Sequence, residues 1–141
     1  MISGLSHITF VTRDLEFFSR IIKDVLGGKE IYSSGDKTFS LSREKFFTAR
    51  GLWIAVMEGE SLPARSYNHI AFQTDDAGLE RARDAISRLG LETKPPRSRV
   101  EGEGQSLYFY TPDNHLIELH TGTLDERLAR YAKDWGGVSF E

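Results

Sequence analysis

The chain repeats itself, and the repeat limits its fold more than any other feature. Residues 6–14 read SHITFVTRD and residues 68–76 read NHIAFQTDD. At an offset of 62, His7 meets His69, Ile8 meets Ile70, Phe10 meets Phe72, Thr12 meets Thr74 and Asp14 meets Asp76. Two copies describe a duplicated domain rather than a solenoid. In each copy an alternating strand leads to an Asp, Asp14 or Asp76, suited to N-cap the next helix. The spacing predicts a first helix over Leu15–Leu26, with Phe18, Ile21, Ile22, Val25 and Leu26 on one face. It predicts a second over Ala77–Leu89, with Leu79, Ala82, Ile86 and Leu89 as its apolar stripe. Gly27 and Gly90 stand where helix C-termini need them.

Three strands are expected after each helix. They are Glu30–Ser33, Thr38–Arg43 and Leu52–Glu58 in the first copy, and Leu91–Thr93, Gln105–Thr111 and His115–His120 in the second. The unit is then βαβββ, twice, in an α+β chain with predominantly antiparallel curved sheets. On this reading SREKFFTARG lengthens the hairpin before the fourth strand, and PPRSRVEGEGQ is a loop carrying Arg97 and Arg99. LDERLARYAKDW reads as a closing helix. The expected organisation is a single domain over residues 1–141, with module one about 1–60, module two about 66–122 and a C-terminal helix about 124–133.

Composition narrows the function classes. At 141 residues the chain can bury a proper core, and 39% hydrophobic with 28% charged residues is globular. It has no cysteine, which excludes disulfides, thiolate zinc sites and cysteine nucleophiles. MISGLSHITF lacks a basic segment followed by an apolar one, and no later run is long enough to span a bilayer. A soluble, cytoplasmic protein with no membrane partner is expected. The net charge of -3 gives no general attraction to nucleic acid, so any anion site must be a local cluster of cations.

Strand parity selects a functional face. A carboxylate at the centre of HLIELH is expensive to bury without a cation, and Glu118 points opposite to Ile117 and Leu119. In the first strand Ser6, Ile8 and Phe10 share a side, leaving Leu5, His7, Thr9 and Val11 on the other. The same rule turns Tyr67 and His69 away from Ile70 and Phe72, and Ser106, Tyr108 and Tyr110 away from Leu107 and Phe109. His7, Thr9, Tyr67, His69, Ser106, Tyr108 and Glu118 can thus line one concave surface. Glu118 corresponds to Val56 across the repeat, so a symmetric four-ligand site is reduced to two imidazoles and one carboxylate. That set leaves positions open for water or substrate and suits Mn²⁺ or Fe²⁺, although Zn²⁺ also accepts it.

The duplicated pattern and the His7, His69, Glu118 set resemble the vicinal oxygen chelate superfamily, whose tandem βαβββ modules form a cup-shaped mixed sheet. Within it, YNHIAF, SLYFYTPDNHLIELHTGTL and RLARY are similar to the fosfomycin resistance proteins over nearly the whole chain. Two branches of that family transfer a thiol to the antibiotic's epoxide, and the FosX type adds water to it. The stretch FSLSREKFF, longer than in the transferases, resembles the FosX type and implies Glu44 as general base.

The resemblance further implies Mn²⁺ or another divalent ion on His7, His69 and Glu118, and no organic cofactor. For the substrate phosphonate it implies Thr9, Tyr67, Arg97, Ser106, Tyr108 and Arg127, with Arg99 as a substitute for Arg97. It also implies a homodimer in which metal ligands are shared between chains. Gly102 stands near a polar position of the potassium-using transferases, which argues against a potassium site. His115 and His120 are expected in supporting roles. Parity over Thr38–Arg43 puts Ser40, Ser42 and Glu44 on one face, opposite Phe39 and Leu41. The competing readings are a thiol transferase, an extradiol dioxygenase-like enzyme, and an antibiotic-binding protein of the same fold.

Overall fold

A computed structural model describes residues 1–38, 41–95 and 104–135. The first module contains β1 (Ile8–Thr12), α1 (Leu15–Asp24), β2 (Lys29–Ser33), β3 (Glu44–Ala49) and β4 (Leu52–Glu58). The second contains β5 (His69–Gln73), α2 (Asp76–Arg88), β6 (Glu92–Lys94), β7 (Ser106–Tyr110) and β8 (Leu116–His120), and α3 (Leu124–Trp135) follows. Each module forms one four-stranded sheet, in the orders β1-β4-β3-β2 and β5-β8-β7-β6. In both, the first strand lies parallel to the last and the other pairings are antiparallel. The repeat read from the sequence is therefore a repeat of whole mixed sheets. Among the described residues no helix is long and apolar enough to cross a membrane.

Two elements differ from the expectation. The third strand is Glu44–Ala49, not Thr38–Arg43, so the long excursion precedes β3 and the turn after it is only Arg50–Gly51. EKFFTA does not alternate by polarity, because Phe46 and Phe47 have apolar surroundings on opposite faces. Phe47 is fully buried in the core, whereas Phe46 sits in a ring cluster with Tyr32 and Trp53. The second correction concerns α2, whose N-cap is Asp75. Its carboxylate accepts from Gly78 N at 2.7 Å, and Asp76 is the first helical residue. In the first module Asp14 caps α1 as its side chain predicts, accepting from Phe17 N at 3.0 Å.

One apolar core joins the modules. Phe18, Ile21 and Ile22 of α1 pack with Phe47, Ile54 and Val56, and the same cluster includes Leu79, Ala82, Ile86, Phe109 and Ile117. The helix-side faces of both sheets are thus covered, while their opposite faces lie outside that core. A buried clasp adds to this junction. Asp113 accepts from Thr12 Oγ1 at 2.5 Å, Arg13 N at 2.9 Å and Ser61 Oγ at 2.5 Å. His115 Nε2 lies 2.8 Å from the Val11 carbonyl, which makes it the donor there. Removing the carboxylate strands three donors in a largely dry junction. Asp113→Ala should therefore cost about 2–4 kcal/mol in urea unfolding at fixed protein concentration. A loss within experimental error would show that the clasp does not hold the modules.

Candidate active site

The open face of the second sheet carries a compact polar group. The register places Glu118 between Ala71 of β5 and Tyr108 of β7, and pairs His120 with Ser106. His69 opens β5 on the same face. Glu118 is only 5% exposed, so its carboxylate needs partners. His69 Nε2 lies 3.1 Å from Oε1, and Ser106 Oγ donates to Oε2 at 2.6 Å. His69 Nδ1 is 2.7 Å from the Tyr67 carbonyl, which can only accept, so Nδ1 carries the proton. In the neutral ring Nε2 then presents a lone pair toward a carboxylate oxygen, which also offers only lone pairs.

Two lone-pair donors about 3 Å apart make a poor hydrogen bond and a good pair of adjacent metal ligands. Donors at right angles around an octahedral ion of about 2.1 Å bond length are separated by roughly 3 Å. The histidine is also oriented as metal-bound imidazoles are, with its other nitrogen held by a carbonyl. The residues present therefore fit a divalent ion.

Phenols border this pair. Tyr67 Oη and Tyr108 Oη are 3.3 Å apart, with Tyr67 54% exposed and Tyr108 buried. Burial, the hydrogen bond with Tyr67 and the Glu118 charge push the Tyr108 phenol up to about 12 from its usual 10. It stays a neutral hydrogen-bond donor throughout the physiological range. Lys94 of β6 pairs in register with Tyr108 on this face, and its ammonium sits 5.7 Å from the centre of the Tyr67 ring. Sequence reading missed Lys94 because ETKPP has no alternation to assign it a side. From α3, Arg127 reaches His120 Nε2 at 3.5 Å. Arg97 and Arg99 lie outside the described residues, as does Gly102.

The first sheet carries a second group. His7 immediately precedes β1, with Ser6 Oγ 3.0 Å from its Nδ1 and its ring 4.3 Å from that of Trp53. Thr9 pairs with Ala55, which pairs with Phe46, while Val11 pairs with Met57, which pairs with Glu44. Thr9 and Glu44 consequently share the open face, opposite Phe47 and Lys45. Glu44 is 9% exposed, and Ser34 brackets its backbone by donating to its carbonyl and accepting from its amide, both at 3.0 Å. Glu44 thus lies on the open face as the first residue of β3, and the strand argument over Thr38–Arg43 does not hold. Ser42 lies in a bend before β3, Leu41 is 90% exposed, and Phe39 and Ser40 lie outside the described residues.

One chain therefore brings His69, Glu118, Tyr67, Tyr108 and Ser106 together on one sheet, and sets His7, Thr9 and Glu44 on the other. Among the described residues no group of three or more His, Asp or Glu side chains is placed to hold a metal ion.

Known proteins give this arrangement its class. The chain belongs to the Glyoxalase/Bleomycin resistance protein/Dioxygenase superfamily, whose family pattern matches residues 4–119. Within that superfamily the chain is similar to the fosfomycin resistance proteins named FosX. It is 59% identical over 133 residues to FosX of Mesorhizobium japonicum, covering 94% of this chain and 96% of that protein. A solved FosX variant from Listeria monocytogenes, complexed with Mn(II) and 1S,2S-dihydroxypropylphosphonic acid, aligns with a TM-score of 0.83 at 52% identity. That alignment covers 93% of this chain and 99% of the solved one. The metallothiol transferase FosB of Shouchella clausii is more distant, at 36% identity over 138 residues, 94% of this chain and 90% of that protein.

Proposed function

We propose that this protein is a Mn(II)-dependent enzyme that inactivates fosfomycin by adding water to its epoxide. The observation that carries the proposal is the His69–Glu118 pair, two lone-pair donors 3.1 Å apart on the open sheet face, with Glu118 itself buried. The FosX likeness supports the chemistry. The diol phosphonate bound to the Listeria protein is the compound that water addition to fosfomycin gives. The lower identity to FosB makes thiol transfer the second reading.

His69 and Glu118 would hold the metal together with His7 of the partner subunit. Two observations support such sharing: His69 and Glu118 are already adjacent in the second module, and His7 packs on Trp53 within the first. Because Thr9 and Glu44 share the first sheet's open face with His7, they would accompany it into a site completed by a second copy. The working unit is then a homodimer, each chain a single domain of two modules, 1–60 and 66–122, with the helix from 124. We place it in the cytoplasm, where an antibiotic of this kind would be met.

When bound, the divalent ion supplies Lewis acidity to the epoxide oxygen and an anchor for the phosphonate. The protein's own groups do the rest. Lys94 and Arg127 supply positive charge to the phosphonate, with Arg97 expected to add to it, and Thr9, Tyr67 and Tyr108 supply hydroxyls, whereas Ser106, expected among them, directs its proton to Glu118. Glu44 takes a proton from water as its oxygen bonds to a ring carbon. The carbon–oxygen bond of the ring breaks, and the released oxygen is protonated to give the vicinal diol.

³¹P NMR of fosfomycin with the protein tests the reading. With Mn(II) and no thiol, the antibiotic resonance should be replaced by that of the diol, and a chelator should stop the conversion. Conversion only on adding glutathione, L-cysteine or bacillithiol would instead establish a thiol transferase.

A further inference from the structure

We infer that His120 is a positioning residue that fixes the Glu118 carboxylate through Ser106, in a tautomer set by Arg127. The inference rests on the reading that Glu118 is a metal ligand. Ser106 and His120 are directly paired across β7 and β8, and Glu118 shares their face two residues before His120.

The contacts among Arg127, His120, Ser106 and Glu118 agree on one direction of donation. Ser106 has a single hydroxyl proton, which goes to Glu118 Oε2 at 2.6 Å. Toward His120 Nδ1, 2.7 Å away, Ser106 Oγ can then only accept, so Nδ1 carries a proton. That same nitrogen lies 3.5 Å from Glu118 Oε2, and its N–H faces both groups. On the other side of the ring, Nε2 lies 3.5 Å from Arg127 Nη2. A guanidinium offers donors alone, so Nε2 is the lone-pair nitrogen. The chain of donation runs from Arg127 to His120 to Ser106 to Glu118.

This divides the work of the carboxylate. Oε2 is tied by Ser106, which leaves Oε1 directed at His69 Nε2. A ligand oxygen whose sister atom is fixed needs less ordering when the ion arrives, the usual effect of hydrogen bonds behind a metal ligand. Ser106 accordingly acts through Glu118, its one proton being engaged there.

Mn(II) affinity of the whole dimeric protein, measured without substrate by electron paramagnetic resonance of the free ion, tests this. His120→Leu and Ser106→Ala should each weaken Mn(II) binding about 10–100-fold while thermal unfolding stays near the parent. His120→Asn keeps an N–H where Nδ1 donates and should bind within about three-fold of the parent. Parent-like affinity in both His120→Leu and Ser106→Ala overturns the inference. An equal loss in His120→Asn and His120→Leu overturns it as well, since packing and not donation would then matter. If His120→Leu fails to fold, Ser106→Ala decides. Glu118→Gln is the control: parent-like binding there means that the metal assignment itself has failed.

Discussion

Replacing Glu44 by Gln should lower fosfomycin hydration by at least roughly 10²-fold, the low end of what a general base contributes. Mn(II) and fosfomycin affinity should barely change, because Gln keeps the shape of the side chain and loses only its basicity. The structure makes this substitution unusually clean. Glu44 is anchored through its backbone to Ser34, and the next residue, Lys45, is held on the opposite face by Glu16 and Glu30. Neither anchor uses the Glu44 carboxylate, so the strand should not move. Any reaction with an added thiol should suffer less, since a thiolate arrives already deprotonated. Hydration at the parent rate in Glu44→Gln would remove Glu44 from the reaction.

The second large effect is a recovery. His7→Ala and Glu118→Ala should each be inactive alone, because each would lack one of the three proposed metal ligands. Mixed after subunit exchange, they should regain up to about a quarter of parental activity. Half of a random mixture is the mixed dimer, and one of its two symmetry-related sites is then intact. The intact site takes His7 from the Glu118→Ala chain, and His69 and Glu118 from the His7→Ala chain. No recovery after mass spectrometry has verified the exchange would mean that each chain builds its own site.

What could be read in the sequence depended on regular alternation. The face of His69, Glu118, Tyr108 and Ser106 was legible because β5, β7 and β8 each alternate, and the parallel and antiparallel registers preserve that parity. β3 was misplaced for the converse reason. FSLSR alternates as a strand should, whereas EKFFTA presents two adjacent phenylalanines, one to the core and one to the aromatic cluster of the open face. The Asp75 cap was hidden by its neighbour, since Asp75 and Asp76 are equally able to accept from the helix amides. Trp53 was invisible as a partner of His7, because their contact joins β4 to the residue before β1 and has no sequence spacing. Lys94 was lost to a three-residue strand too short to show a period.

The most direct test of the central claim is the origin of the product's new oxygen. Fosfomycin converted by the protein with Mn(II) in oxygen-18 water, without thiol, should give 1,2-dihydroxypropylphosphonate carrying a single labelled oxygen bound to carbon. Unlabelled diol, or no conversion until a thiol is added and a thioether forms, would contradict water addition as the reaction this site performs.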